Sequence, residues 1–129
     1  MNIKLIYEAL KKSWSKETSY PSTQKDWSDK NPAFGQCAVT VLVVQDYFGG
    51  ELLYCKHHNH YWNRLPNRRE IDLTRSQFEN KVTPCADTIA SREYILESES
   101  AKKAITSERY ILLKKRVAKI INQRVIYNE

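Results

Sequence analysis

Apolar residues recur at positions 3, 6, 7, 10 and 14 near the start of the chain. That spacing predicts a helix from about residue 2 to Trp14. The following segment, residues 13–36, is rich in Ser, Lys, Asp and Pro and carries scattered aromatics. It reads as a long ordered loop, held to the body by Trp27, Pro32 and Phe34, because a free loop of this length is uncommon in a compact domain. From Cys37 to Phe48 the pattern changes. Val39, Leu42, Val43 and Tyr47 form one helical stripe, and Ala38, Val41 and Val44 widen it. A helix apolar on most sides is a buried helix. The valines leave a strand reading open, since they are poor helix formers. The twelve-residue length and the closing Gly49–Gly50 pair favour a helix with a glycine stop.

Residues 51–56, 60–65 and 70–74 read as three short strands. The stretch Pro66-Asn67-Arg68-Arg69 supplies hairpin chemistry between the last two. A short helix or turn is expected over Arg75–Asn80, and irregular chain over 81–100. An amphipathic helix follows over about 105–126, with Tyr110, Leu113, Val117, Ile120, Ile121 and Val125 on one stripe. Lys114, Lys115, Lys119 and Arg124 lie on its other face. These elements predict one α+β domain over 1–129, with helices packed on a small antiparallel sheet of three or four strands and a core within 27–80.

Composition narrows the class. The chain has 129 residues, the size of one domain. A hydrophobic fraction of 41% and a mean hydropathy of −0.65 suit a globular protein. No apolar run approaches the length of a membrane span. The opening MNIKLIYEALKKSW has its apolar positions interrupted by Lys4, Tyr7 and Glu8, and no cleavage site follows, so no secretory signal is expected and a cytoplasmic location is the default. Three cysteines, Cys37, Cys55 and Cys85, are an odd count without a C-x-x-C pair, which suits a reducing compartment. The net charge of +6 is local: residues 101–129 hold eight basic and two acidic residues, and the first hundred balance.

The position of Cys37 raises a chemical question. A core cysteine sits anywhere along an apolar run, whereas a reactive one sits at the first turn. The positive end of a helix and a nearby imidazolium both favour a thiolate. Unpaired N–H groups at the helix start can hold an oxyanion. His60 opens the middle strand and Asp72 lies on the next one. A histidine there can return a proton to a leaving group, and a carboxylate behind it fixes its tautomer. Gln36 adds a candidate side-chain donor to the oxyanion site, and Gly35 leaves room for substrate beside the backbone. With a hairpin turning near Asn67, paired positions sum to about 133, which sets His60 against 73 and Asp72 against 61. Register then decides whether the two share a face.

The motifs GQC (35–37), HYW (60–62) and DLT (72–74) resemble the papain-like and transglutaminase-like fold. In that superfamily such motifs carry a Cys-His-Asp triad. The run from Trp27 to Phe78 is more closely similar to the YunG-like family of small bacterial proteins. The resemblance implies a papain-like or transglutaminase-like core and a triad of Cys37, His60 and Asp72, but no particular substrate. The combined reading is a cysteine-dependent acyl-transfer enzyme acting on an amide or peptide bond. Trp27, Tyr61 and Trp62 are the expected cleft walls, and neither a cofactor nor a metal is expected.

Competing readings use overlapping residues. Most lone cysteines are inert core; Cys55 and Cys85 are read that way. His57 and His58 compete with His60 for the base role but fall in a turn. A zinc reading draws on Cys37, Cys55, His58 and His60, yet leaves Gln36, Asp72 and the helix placement unexplained. A non-catalytic interaction module would use the basic C-terminal helix, with Lys114, Lys115, Arg116, Lys119 and Arg124, to bind an acidic partner or nucleic acid. No nucleic-acid-binding signature accompanies that helix, and a lysine-rich face is ordinary on amphipathic helices.

Overall fold

The structure is a computed structural model that describes residues 1–77 and 88–128, with side chains described as far as Arg124. The first helix, α1 (Ile3–Ser13), starts where Asn2 caps it by accepting from the Leu5 N–H at 2.8 Å. Ile6, Ala9, Leu10 and Ser13 face inward. The polar segment that follows holds two 3₁₀ turns, Lys16–Thr18 and Pro21–Asp26. Trp27 Nε1 donates to the Pro32 carbonyl at 3.0 Å and ties this segment to itself.

The second helix, α2 (Cys37–Phe48), buries every residue from Val39 to Val44. Burial on all sides overrides the poor helix propensity of its valines. The helix ends at Gly49, whose φ is +74°. At Gly50 a side chain would run into the Arg64 carbonyl of the neighbouring strand. The glycine pair therefore stops the helix and lets the next strand pack closely.

Four strands form an antiparallel sheet in the order β3-β2-β1-β4: β1 (Glu51–Cys55), β2 (His60–Arg64), β3 (Glu70–Ile71) and β4 (Thr88–Ala90). The hairpin between β2 and β3 turns through Pro66, Asn67 and Arg68. Leu65 N–H donates to the Arg69 carbonyl, and Arg68 has a φ of +72°. This loop pairs Asn63 with Ile71 and Arg64 with Glu70. The paired positions sum to 134, one residue away from the expected sum of about 133, and the turn is centred on Asn67. The third strand is also shorter than expected, so Asp72 lies just past its end.

Of the stretch 81–100 expected to be irregular, 81–87 lie outside the described residues, and 88–100 hold β4, the short helix α3 (Arg92–Glu97) and the start of a second, α4 (Glu99–Lys103). Ser91 accepts from the Tyr94 N–H and Ser98 from the Ala101 N–H, so each serine caps its helix. Of the expected short helix over Arg75–Asn80, a 3₁₀ turn forms at Arg75–Gln77, and 78–80 lie outside the described residues. Cys85 also lies outside them, and so does the side chain of Val125.

The long helix α5 (Thr106–Asn128) packs against α1 and α2, and α2 packs on β1 and β2. Tyr110, Leu113, Val117 and Ile121 are its buried stripe, joined to the α1 and α2 side chains in one core. Two polar ties fix α2. Trp14 Nε1 donates to Thr40 Oγ1 at 2.9 Å, and Asn63 Nδ2 donates to the Val41 carbonyl at 3.0 Å. Among the described residues no helix is long and apolar enough to cross a membrane.

Candidate active site

Cys37 is the first residue of α2 and is partly exposed. Gln36 precedes the helix without capping it through its side chain. The opening N–H groups of α2 therefore have no side-chain acceptor from the residue where a cap would stand. His60 begins β2 and is 1% exposed. Its Nε2 lies 2.7 Å from Asp72 Oδ2. The Cys37 side chain acts on the same ring and helps to hold its proton. Burial pulls the His60 pKa down, but the hydrogen bonds and charges of Asp72 and Cys37 outweigh it and lift the ring from 6.5 to about 9. The imidazole is thus held protonated at neutral pH.

Asp72 reaches His60 because of the hairpin register. Continuing the Asn63–Ile71 pairing by one step sets Asp72 opposite Trp62, on the face that His60 shares with Trp62 by strand alternation. The other carboxylate oxygen, Oδ1, accepts from the Thr74 N–H at 3.2 Å and from its hydroxyl at 3.3 Å. Thr74 Oγ1 accepts in turn from Gln77 Nε2 at 3.2 Å, and Gln77 Oε1 accepts from the Gly35 N–H at 3.3 Å. A line of hydrogen bonds thus runs from His60 through Asp72, Thr74 and Gln77 to Gly35, in the loop that leads into Cys37. Gln77 was not singled out from the sequence, because its side chain joins residues 42 positions apart.

Cys37 opens onto a cavity of about 470 Å³. Tyr61 and Gly35 line it, together with Tyr20, Thr106 and Arg109. Burial, followed by the neighbouring Tyr54, pushes the Tyr61 phenol up, so its hydroxyl keeps its proton. Three expected roles are altered by the packing. Trp62 is 1% exposed and is not in the cavity lining. It stacks on His60 with ring centroids 6.0 Å apart, and its Nε1 donates to Glu70 Oε1 at 2.8 Å. Trp27 is likewise outside the lining. Gln36 is fully buried, and its amide donates to the Ser15 carbonyl at 3.0 Å, so it faces the interior and not the cavity. The space beside Gly35 is also taken. A Cβ there would meet the Ser19 hydroxyl and stand 2.9 Å from the Tyr20 nitrogen, and the φ of +71° suits glycine.

The groups of the zinc reading are dispersed. Cys55 is buried with Leu53 and Trp62, while His57 and His58 pack edge to face in the β1–β2 turn. Among the described residues no three His, Cys, Asp or Glu side chains cluster to hold a metal. The basic face of α5 is partly engaged within the protein. Arg116 donates to the Ser13 carbonyl and to Ser15 Oγ, and Lys114 lies 3.6 Å from Asp46.

The family described as YunG protein matches residues 2–122. The chain belongs to the YunG family. It is similar to the "Uncharacterized protein YunG" of Bacillus subtilis (strain 168), with 38% identity over 75 residues, covering 57% of this chain and 60% of that protein. The chain thus matches less than two thirds of that relative's length. No solved structure gives a significant match.

Proposed function

We propose that this YunG-family protein is a cysteine-dependent acyl-transfer enzyme that hydrolyses an amide or peptide bond. One observation carries the reading: His60 is hydrogen-bonded to Asp72 and feels the Cys37 side chain, with Cys37 open to a cavity at the uncapped start of α2. The papain-like order of the three residues agrees with it. Cys37 is the nucleophile, His60 the general acid and base, and Asp72 the group that orients His60.

In this mechanism the Cys37 thiolate attacks the acyl carbon and forms a C–S bond. The carbonyl π pair moves onto oxygen, and backbone N–H groups at the first turn of α2 stabilise the oxyanion. Collapse of that intermediate breaks the C–N bond, and the amine leaves with the proton from His60. Water then attacks the thioester and gives a proton to His60. The acid departs, and Cys37 and His60 return to their starting state. Asp72, holding Nε2, keeps Nδ1 turned to the thiol throughout. Tyr61 is the cavity wall with a hydroxyl donor for the substrate.

The test is the pH dependence of iodoacetamide labelling at Cys37, located by mass spectrometry, in the wild type and in His60→Ala. Rapid labelling near about pH 6, lost with the imidazole, is the expected result for a thiolate–imidazolium pair. A Cys37 that resists labelling until the protein unfolds would make it a core residue at a helix start and end this reading.

A further inference from the structure

Arg109 is 3% exposed and borders the same cavity as Cys37. A buried guanidinium usually faces a carboxylate, because an unpaired buried charge is costly. Here each partner is neutral. Nε donates to the Ala104 carbonyl at 2.9 Å, Nη1 to the Thr18 carbonyl at 3.0 Å, and Nη2 to the Thr106 hydroxyl at 3.4 Å. Among the described residues no acidic side chain forms an ion pair with it. Its five N–H donors leave one on each terminal nitrogen beyond these bonds, the number that the two oxygens of a carboxylate take.

The cavity lining strengthens the point. Among the described residues it contains no Asp, Glu or Lys, and Arg109 is its one permanently charged group. The rest are hydroxyls, amides, an imidazole, the Cys37 thiol and aliphatic or aromatic groups. The volume is that of a small-molecule site. An anion entering this cavity would meet a guanidinium already positioned by two backbone carbonyls, and it would face no opposing carboxylate.

We infer that the Cys37 cavity takes a small amide substrate bearing a carboxylate, which Arg109 binds while Cys37 attacks the acyl carbon. The substrate class rests on the acyl-transfer reading; the anion site rests on the burial and partners of Arg109. A carboxylate fits better than a phosphate, because two N–H groups and one charge match a monoanion with two oxygens and leave a phosphate dianion under-compensated.

The test compares iodoacetate with iodoacetamide as alkylating agents of Cys37 at constant ionic strength. The two reagents differ in carrying a carboxylate or a neutral amide. Their rate ratio cancels any change in the thiol itself. The ratio is expected to fall about tenfold or more in Arg109→Gln, the effect of losing one charge-assisted contact. Glutarate is expected to protect wild-type Cys37 from iodoacetamide, and glutaramide is not. An unchanged ratio in a folded Arg109→Gln protein overturns the inference. If that variant does not fold, the wild-type protection decides: equal effects of glutarate and glutaramide, or stronger protection by inorganic phosphate, overturn it. A Cys37 inert to both reagents instead ends the acyl-transfer reading. The anion site is then judged by the thermal shift that glutarate gives Cys37→Ala, where a rise supports the site and no rise rejects it.

Discussion

Asp72→Asn isolates the charge behind His60 with almost no change of shape. In the wild type Asp72 Oδ2 is 2.7 Å from His60 Nε2, and the side chains are 9% and 1% exposed. The ring stands at about 9 against an ordinary 6.5. At about 1.4 kcal/mol per pH unit, that difference is roughly 3 kcal/mol of preference for the protonated ring in the fold. Part of it comes from Cys37, so the loss with Asp72 is smaller, in the range of about 1–3 kcal/mol usual for a hydrogen bond to a charged group. The sign follows from linkage. A raised histidine contributes its full stabilisation below pH 6.5 and loses it as pH rises through about 9. Asp72→Asn should therefore destabilise most near pH 6 and distinctly less near pH 10. The asparagine keeps an oxygen for the Thr74 N–H and hydroxyl, so the turn survives, but it turns an amide nitrogen toward Nε2. Urea unfolding at several pH values reads the difference, and NMR titration of the His60 ring reads its cause. A penalty that stays constant across this range, or a wild-type ring that titrates near 6.5, would refute the reasoning.

Gly35→Ala forces a side chain against Ser19 and Tyr20 in a left-handed conformation. It should cost about 2–4 kcal/mol in denaturant unfolding, and an unaltered midpoint would mean that the loop yields freely. Asn63→Ala removes the buried amide that donates to the Val41 carbonyl; a loss of about 1–3 kcal/mol is expected, and a neutral result would show that the tie between α2 and β2 carries little. Gln77→Ala cuts the link between the Asp72 turn and the Gly35 loop. Its expected cost is about 1 kcal/mol, accompanied by slower iodoacetamide labelling of Cys37; unchanged labelling would separate Gln77 from the site.

Apolar periodicity determined α1 and α5; for α2 the length and the Gly49–Gly50 stop were needed as well, and for the β1–β2–β3 meander the turn residues at 66–69. In each case burial of one face, or of every face in α2, follows from side-chain spacing within a single element. The polar placement of Cys37 at a helix start and His60 at a strand start was equally legible, since both are local facts. The short elements in 88–103 were not, because β4 is specified by its pairing to β1 and α3 and α4 by little more than their serine caps. Arg109 had a readable signal that went unused: it stands four residues before Leu113 and eight before Val117, on the buried stripe of α5. Whether Asp72 meets His60 depended on tertiary structure. The expected register set Asp72 beside Tyr61, on the wrong face. The three-residue turn, with Arg68 left-handed, moves the pairing by one residue. Side chains alternate across a strand with period two, so a slip of one residue exchanges the faces. Gln36 and Trp62 were displaced from their expected roles for a similar reason. Adjacency in sequence places a residue near a site, but the packing of the elements around it selects which way its side chain turns.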